Sequence, residues 1–123
     1  MKGRCVVYVI GNKRLKRCYV GETENIERRL VQHMGLLNSG SHYAKAFQMD
    51  YDKYNEIDII NEIDCDKLTV QQRKLIEKAV MLIYLNNGWQ LYNSNPIPTK
   101  NNLEWHIMYD LLEIIESNLY VHV

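Results

Sequence analysis

The run CVVYVIGNKRLKRCYVG, residues 5 to 21, narrows the folds open to this chain more than any other stretch. Val6, Val7, Tyr8, Val9 and Ile10 are strand formers, and the polar segment GNKRLKR follows, opened by Gly-Asn. Cys18, Tyr19 and Val20 begin a second run, which Gly21 ends. Two strand-forming runs around a short polar connection make a β-hairpin. Tyr8 and Tyr19 are eleven positions apart across it, a spacing that makes them candidate neighbours on adjacent strands.

Helices follow. Thr23 is placed to cap a helix from about Glu24 to Leu37, with Glu24 and Glu27 in a first turn that favours carboxylates. Ile26, Leu30, Met34 and Leu37 recur at helical spacing and should face the core. NSGS, residues 38 to 41, breaks the chain, and SHYAKAFQMDYDKY holds a second short helix. EIDIINEID, residues 56 to 64, alternates as a strand does. Thr69 and Gln72 form a T-x-x-Q capping box, so another helix runs from near Val70 to about Leu85, where NNG stops it. WQLYNSNPIPTK reads as irregular, and a last helix covers about Leu103 to Ser117. This order gives an α+β sandwich: a small, mostly antiparallel three-stranded sheet flanked by helices, with an extra C-terminal helix. The chain carries no internal repeat, low-complexity tract or linker. At 123 residues it fits a single domain, with a core over about residues 4–95 and a helical extension over about 100–118.

Composition limits the function classes. A 46% hydrophobic fraction with 24% charged residues suits a globular protein. The longest apolar run, AVMLIYL, is far too short to span a bilayer, and the N-terminus lacks the apolar stretch of a signal peptide. No membrane association is expected. Cys5, Cys18 and Cys65 form no C-x-x-C pair, and reduced thiols in a cytoplasmic protein are the simplest reading, although Cys5 and Cys18 fall on neighbouring strands. The formal net charge is zero, yet residues 1–33 hold eight Lys/Arg against three Asp/Glu. A basic N-terminal third suits a polyanion partner, and equally a solvated hairpin. The neutral total argues against tight nonspecific DNA binding by the domain alone.

Arg29 and His33 lie four apart and so share a helix face. With the helix on the hairpin, both reach one edge of the sheet near Tyr19. Glu77 is the second anomaly, a carboxylate just before AVMLIYL. On so apolar a helix it needs a cation or metal partner, or else it pairs with Lys74 or Lys78 at the surface.

These residues together resemble the GIY-YIG nuclease family. Its two signatures appear as Val6-Val7-Tyr8 and Tyr19-Val20-Gly21, and TENIERRLVQH is similar to the family run T-x-N-L-x-x-R-L-x-x-H. The first signature departs from the pattern, with valines for its glycine and isoleucine. The resemblance, over about residues 4–95, implies a metal-dependent endonuclease hydrolysing DNA with one divalent cation, Mg²⁺ or Mn²⁺. It puts Arg29, not Arg28, at the catalytic arginine, His33 at the histidine, Glu77 at the metal-binding glutamate and Asn93 at the asparagine that closes the domain. Tyr8 becomes the candidate general base with Tyr19 orienting the water, while His33 either shares the base role or holds Tyr8. Arg28, His42, Lys45 and Asn93 are the candidate substrate contacts. Small free-standing members occur in phages and mobile elements, and would act in the host cytoplasm.

Three functions follow: a stand-alone DNA endonuclease, a nuclease that borrows affinity from a protein partner or a second copy, or a binding or inhibitory module on a silent nuclease fold. The neutral charge suits the second, and the retained Tyr8, Tyr19, Arg29, His33 and Glu77 argue against the third. A zinc-structural domain lacks the ligand spacing.

Overall fold

The computed structural model describes residues 3–94, together with His106, Ile107 and Asp110. The element order is β1 (Val6–Asn12), β2 (Arg17–Thr23), α1 (Ile26–Asn38), α2 (Lys45–Tyr54), β3 (Asp58–Asp64), α3 (Val70–Asn86) and β4 (Gln90–Leu91). The helix expected over 103–117 lies outside the described residues apart from those three.

β1 and β2 form the expected antiparallel hairpin, but both strands outrun their sequence bounds. β1 continues through Gly11 and Asn12, and only residues 13–16 turn. The Asn12 side chain accepts the Leu15 N–H at 3.0 Å, which closes the turn. Lys16 adopts the left-handed conformation needed there, with φ 54°. Gly21 does not end β2, which runs to Thr23.

The sheet has four strands in the order β3-β1-β2-β4, not three. β1 pairs antiparallel with β2 and β3, whereas β4 joins β2 in parallel through Arg17↔Gln90 and Cys18↔Leu91. The sheet is therefore mixed. Two residues carry no readable alternation, so β4 is made by docking. Gln90 N–H donates to Lys16 at 2.9 Å and Tyr92 N–H to Cys18 at 2.7 Å.

All seven residues of β1 are buried, as befits a central strand covered on both faces. On one face Val7, Val9, Cys18 and Val20 pack under Ala79, Val80, Met81 and Ile83 of α3. On the other, Val6, Tyr8 and Ile10 pack with Ile26 and Leu37 of α1 and Phe47 of α2. Leu30 and Met34 cover the same cluster, as helical spacing predicts.

Two caps set the helix positions. α3 starts on the expected box: Thr69 Oγ1 accepts from Gln72 N–H, and Gln72 Oε1 accepts from Thr69 N–H. α1 starts two residues later than expected, because Asn25 is the cap and its side chain accepts the Arg28 N–H at 3.1 Å. Thr23 instead holds the cap itself, accepting the Asn25 N–H at 3.2 Å. The three cysteines are buried and free, so no Cys5–Cys18 disulfide forms. Among the described residues no helix is long and apolar enough to cross a membrane.

Candidate active site

Tyr8 and Tyr19 are diagonal rather than opposite: Tyr8 faces Gly21, and Ile10 faces Tyr19. Their ring centroids lie 6.4 Å apart. The register explains the glycine. A Cβ on Gly21 would meet the Tyr8 hydroxyl oxygen at 2.4 Å, so the ring crosses β2 only because that position lacks a side chain. Gly21 thus lets the phenol of a central, buried strand reach past its neighbour.

α1 supplies the partners of that hydroxyl. His33 Nε2 lies 2.7 Å from Tyr8 Oη, and Arg29 Nε donates to the same oxygen at 3.3 Å. His33 Nδ1 lies 2.8 Å from His42 Nε2, and His42 Nδ1 accepts the Ala44 N–H at 3.0 Å. The last contact orders the rest. A backbone N–H can only donate, so Nδ1 of neutral His42 is bare and its proton sits on Nε2. His42 then donates to His33 Nδ1, and His33 donates from Nε2 to Tyr8. Both rings favour the neutral state. Burial, then the neighbouring His42 and Arg29, lowers the His33 pKa to about 4. Burial likewise lowers that of His42. Tyr8 Oη therefore accepts two N–H donors, an arrangement that suits a phenolate. Burial nonetheless pushes its pKa up to about 12, with Arg29 pulling it down.

The second phenol is held by Tyr43, which sequence patterns did not single out. Arg29 Nη2 donates to the Tyr43 hydroxyl at 3.1 Å, and that hydroxyl donates to Tyr19 Oη at 3.2 Å. Burial foremost, then the Tyr43 hydroxyl, keeps the Tyr19 pKa well above its ordinary value. Gln32 is the other unforeseen partner, accepting from Arg29 Nη1 at 3.2 Å. Helical spacing from Arg29 was its available signal. For Tyr43 the signal was adjacency to His42.

The remaining candidates separate. Arg28 is exposed and shares with Arg29, Gln32 and Glu22 the wall of a cavity of about 280 Å³. Lys45 is exposed at the start of α2 and makes no ion pair among the described residues. Asn93 brackets Val20, accepting its N–H at 2.8 Å and donating to its carbonyl at 2.7 Å. Both ends of its amide thereby pin the strand that carries Tyr19.

Glu77 sits half-buried on α3, and its charge is felt at Tyr8, whose pKa it raises. One turn earlier on the same helix face, buried Arg73 pairs with Glu22 at 3.0 Å and Glu24 at 3.3 Å. That pairing fastens α3 to the end of β2 beside Gly21. No group of three or more His, Cys, Asp or Glu residues among the described ones is arranged around a metal position. A single carboxylate fits Mg²⁺, a hard cation that keeps most of its waters.

A buried phenol thus meets a guanidinium and an imidazole from α1, and a half-buried carboxylate on α3 acts on it electrostatically. The chain belongs to the GIY-YIG family, whose catalytic-domain model matches residues 4–80. Curated proteins and solved structures give no match to the chain.

Proposed function

We propose that this chain is a metal-dependent endonuclease that hydrolyses phosphodiester bonds of DNA. The observation that carries this reading is the convergence of Arg29 and His33 on the Tyr8 hydroxyl, beside Tyr19 and the open edge of α1.

Glu77 would hold one Mg²⁺ or Mn²⁺, which when bound supplies positive charge for the phosphate and leaving oxygen. Arg29 exchanges its contacts with Gln32 and Tyr43 for the phosphate oxygens, and its planar guanidinium suits the trigonal-bipyramidal charge better than a lysine. Tyr8 first releases its own proton to solvent, favoured by the adjoining Arg29 charge, and as a phenolate then takes a proton from the attacking water, which Tyr19 orients. His33 acts as a positioning residue. In the neutral tautomer that Ala44 and His42 impose, its Nε2 already carries a proton and takes none from Tyr8. Neutralising Glu77 removes one of the charges that hold the Tyr8 pKa up. Exposed Arg28 and Lys45 complete the substrate side, whereas His42, expected there from the sequence, is buried with both ring nitrogens engaged and supports His33 instead, and Asn93 holds β2 in place.

The formal net charge of zero supports a partner, or a second copy, that supplies part of the DNA affinity. Nicking of supercoiled plasmid at low salt tests the activity, with Mg²⁺ or Mn²⁺ and with EDTA. The expected result is nicked circle only with metal, and none from Arg29→Ala or Glu77→Gln. Cutting by either variant at the parent rate overturns the site assignment.

A further inference from the structure

Tyr43 is 53% exposed, although its hydroxyl is bound at the centre of the site. One face of its ring stacks on His42, at 4.4 Å between centroids and 30° between planes. The Tyr19 and His33 rings lie 6.0 and 6.2 Å away between centroids, yet half the residue remains open to water. Beside it lies a cavity of about 150 Å³, lined by Tyr19, Tyr43, Ala44, Lys45, Tyr92 and Ser94. A cavity of about that size admits one six-membered ring. Lys45 stands exposed at its rim. A half-exposed aromatic ring, a ring-sized hollow and a cation thus adjoin the phenols proposed to handle the attacking water.

We infer that Tyr43 and Lys45 form a nucleotide subsite, in which the exposed part of the Tyr43 ring stacks on a nucleobase next to the scissile phosphate and Lys45 meets the adjoining phosphate. The inference rests on the nuclease reading above and names its substrate class. Within continuous duplex DNA both faces of every base are taken by neighbouring bases. A ring stacked on Tyr43 must therefore come from an unpaired, terminal or displaced nucleotide. The subsite selects DNA with such a nucleotide beside the cut, such as a flap or a branch point. Stacking on an aromatic side chain tolerates any base, so the subsite reads structure rather than sequence.

The competing role for Tyr43 is to hold Arg29 through its hydroxyl alone, and two substitutions separate the two. Binding is measured with Glu77→Gln protein in Mg²⁺, to prevent cutting. The probe is a flapped oligonucleotide with 2-aminopurine at the unpaired position, compared with a continuous duplex of the same sequence. The flap should bind more tightly than the duplex, and its fluorescence should be quenched. Adding Tyr43→Ala should weaken flap binding roughly 5- to 100-fold and abolish the quench, whereas Tyr43→Phe stays within about 2-fold. Lys45→Gln should reduce the dependence of log affinity on log salt by about one unit. Flap binding that Tyr43→Ala leaves unchanged overturns the subsite, as does a Tyr43→Phe loss equal to that of Tyr43→Ala. In both cases the nuclease reading stands, provided that the parent nicks plasmid. Failure to bind any oligonucleotide, with no nicking by the parent, overturns both.

Discussion

The two faces of the sheet bury the residues of the central strand equally and fill the space over them differently. Val9 and Tyr8 are adjacent on β1, exposed by 0% and 1%. Val9 enters an aliphatic layer under α3, where Val80, Met81 and Ile83 fill the space. Tyr8 enters an aromatic layer under α1 and α2, where His33, His42, Tyr19 and Phe47 meet ring to ring. On this second face every ring with a polar atom has been given a partner. No buried side-chain nitrogen or oxygen among the described residues lacks one. Depth therefore does not distinguish the aliphatic layer from the proposed site. The distinction lies in whether a buried group must be matched atom for atom or only filled by volume.

That difference sorts the effects of substitution. The largest is expected at Tyr8→Phe, which keeps the ring and removes the oxygen. Cleavage of plasmid should fall by about 10²- to 10⁴-fold, the usual worth of a general base, while the buried His33 N–H left without its acceptor costs about 1–3 kcal/mol of stability. Near-parent cleavage would exclude Tyr8 as the base. Met81→Ala on the opposite face should reverse the pattern. Unfolding in urea should show a loss of about 2–5 kcal/mol, with the rate nearly unchanged wherever the protein stays folded. A rate loss as large as that of Tyr8→Phe would mean that the two faces are not separable. The smallest effect concerns acid. The folded pKa of His33, about 4, lies below its ordinary 6.5, so the unfolded chain binds the extra proton first. Stability should therefore decline as pH falls from about 6.5 toward 4, and the decline attributable to His33 should level off below that. A His33→Gln variant should show a shallower drop in melting temperature over the same window. An unchanged slope would mean that other groups carry the acid sensitivity.

The parts of this architecture legible in the sequence were those encoded locally. The Thr69–Gln72 box needs only four residues, and the Arg29–His33 face only one helical turn. The α1 start was misplaced because Thr23 and Asn25 are both good caps, and their choice depends on hydrogen bonds between them. β4 could not be read at all. Its two residues pair with β2 from 73 positions away, and the chain's path after α3 creates the strand. Tyr8 and Tyr19 were rightly placed on adjacent strands, but the register that sets Tyr8 over Gly21 was not foreseen. Tyr43 carries no pattern of its own among nine tyrosines, so only the closeness of α1 and α2 exposes its part in the site.

The amide of Ala44 has a reach greater than its single hydrogen bond suggests. The two histidines and Tyr8 can each gain or lose a proton, but a peptide N–H keeps its own at any pH where the protein is folded. A chain of titratable links is therefore anchored at one end by a link that does not titrate. Its polarity is written in the path of the main chain between α1 and α2. Lengthening or shortening that connection would alter the reactivity of a tyrosine more than thirty residues away, without changing any side chain in the site.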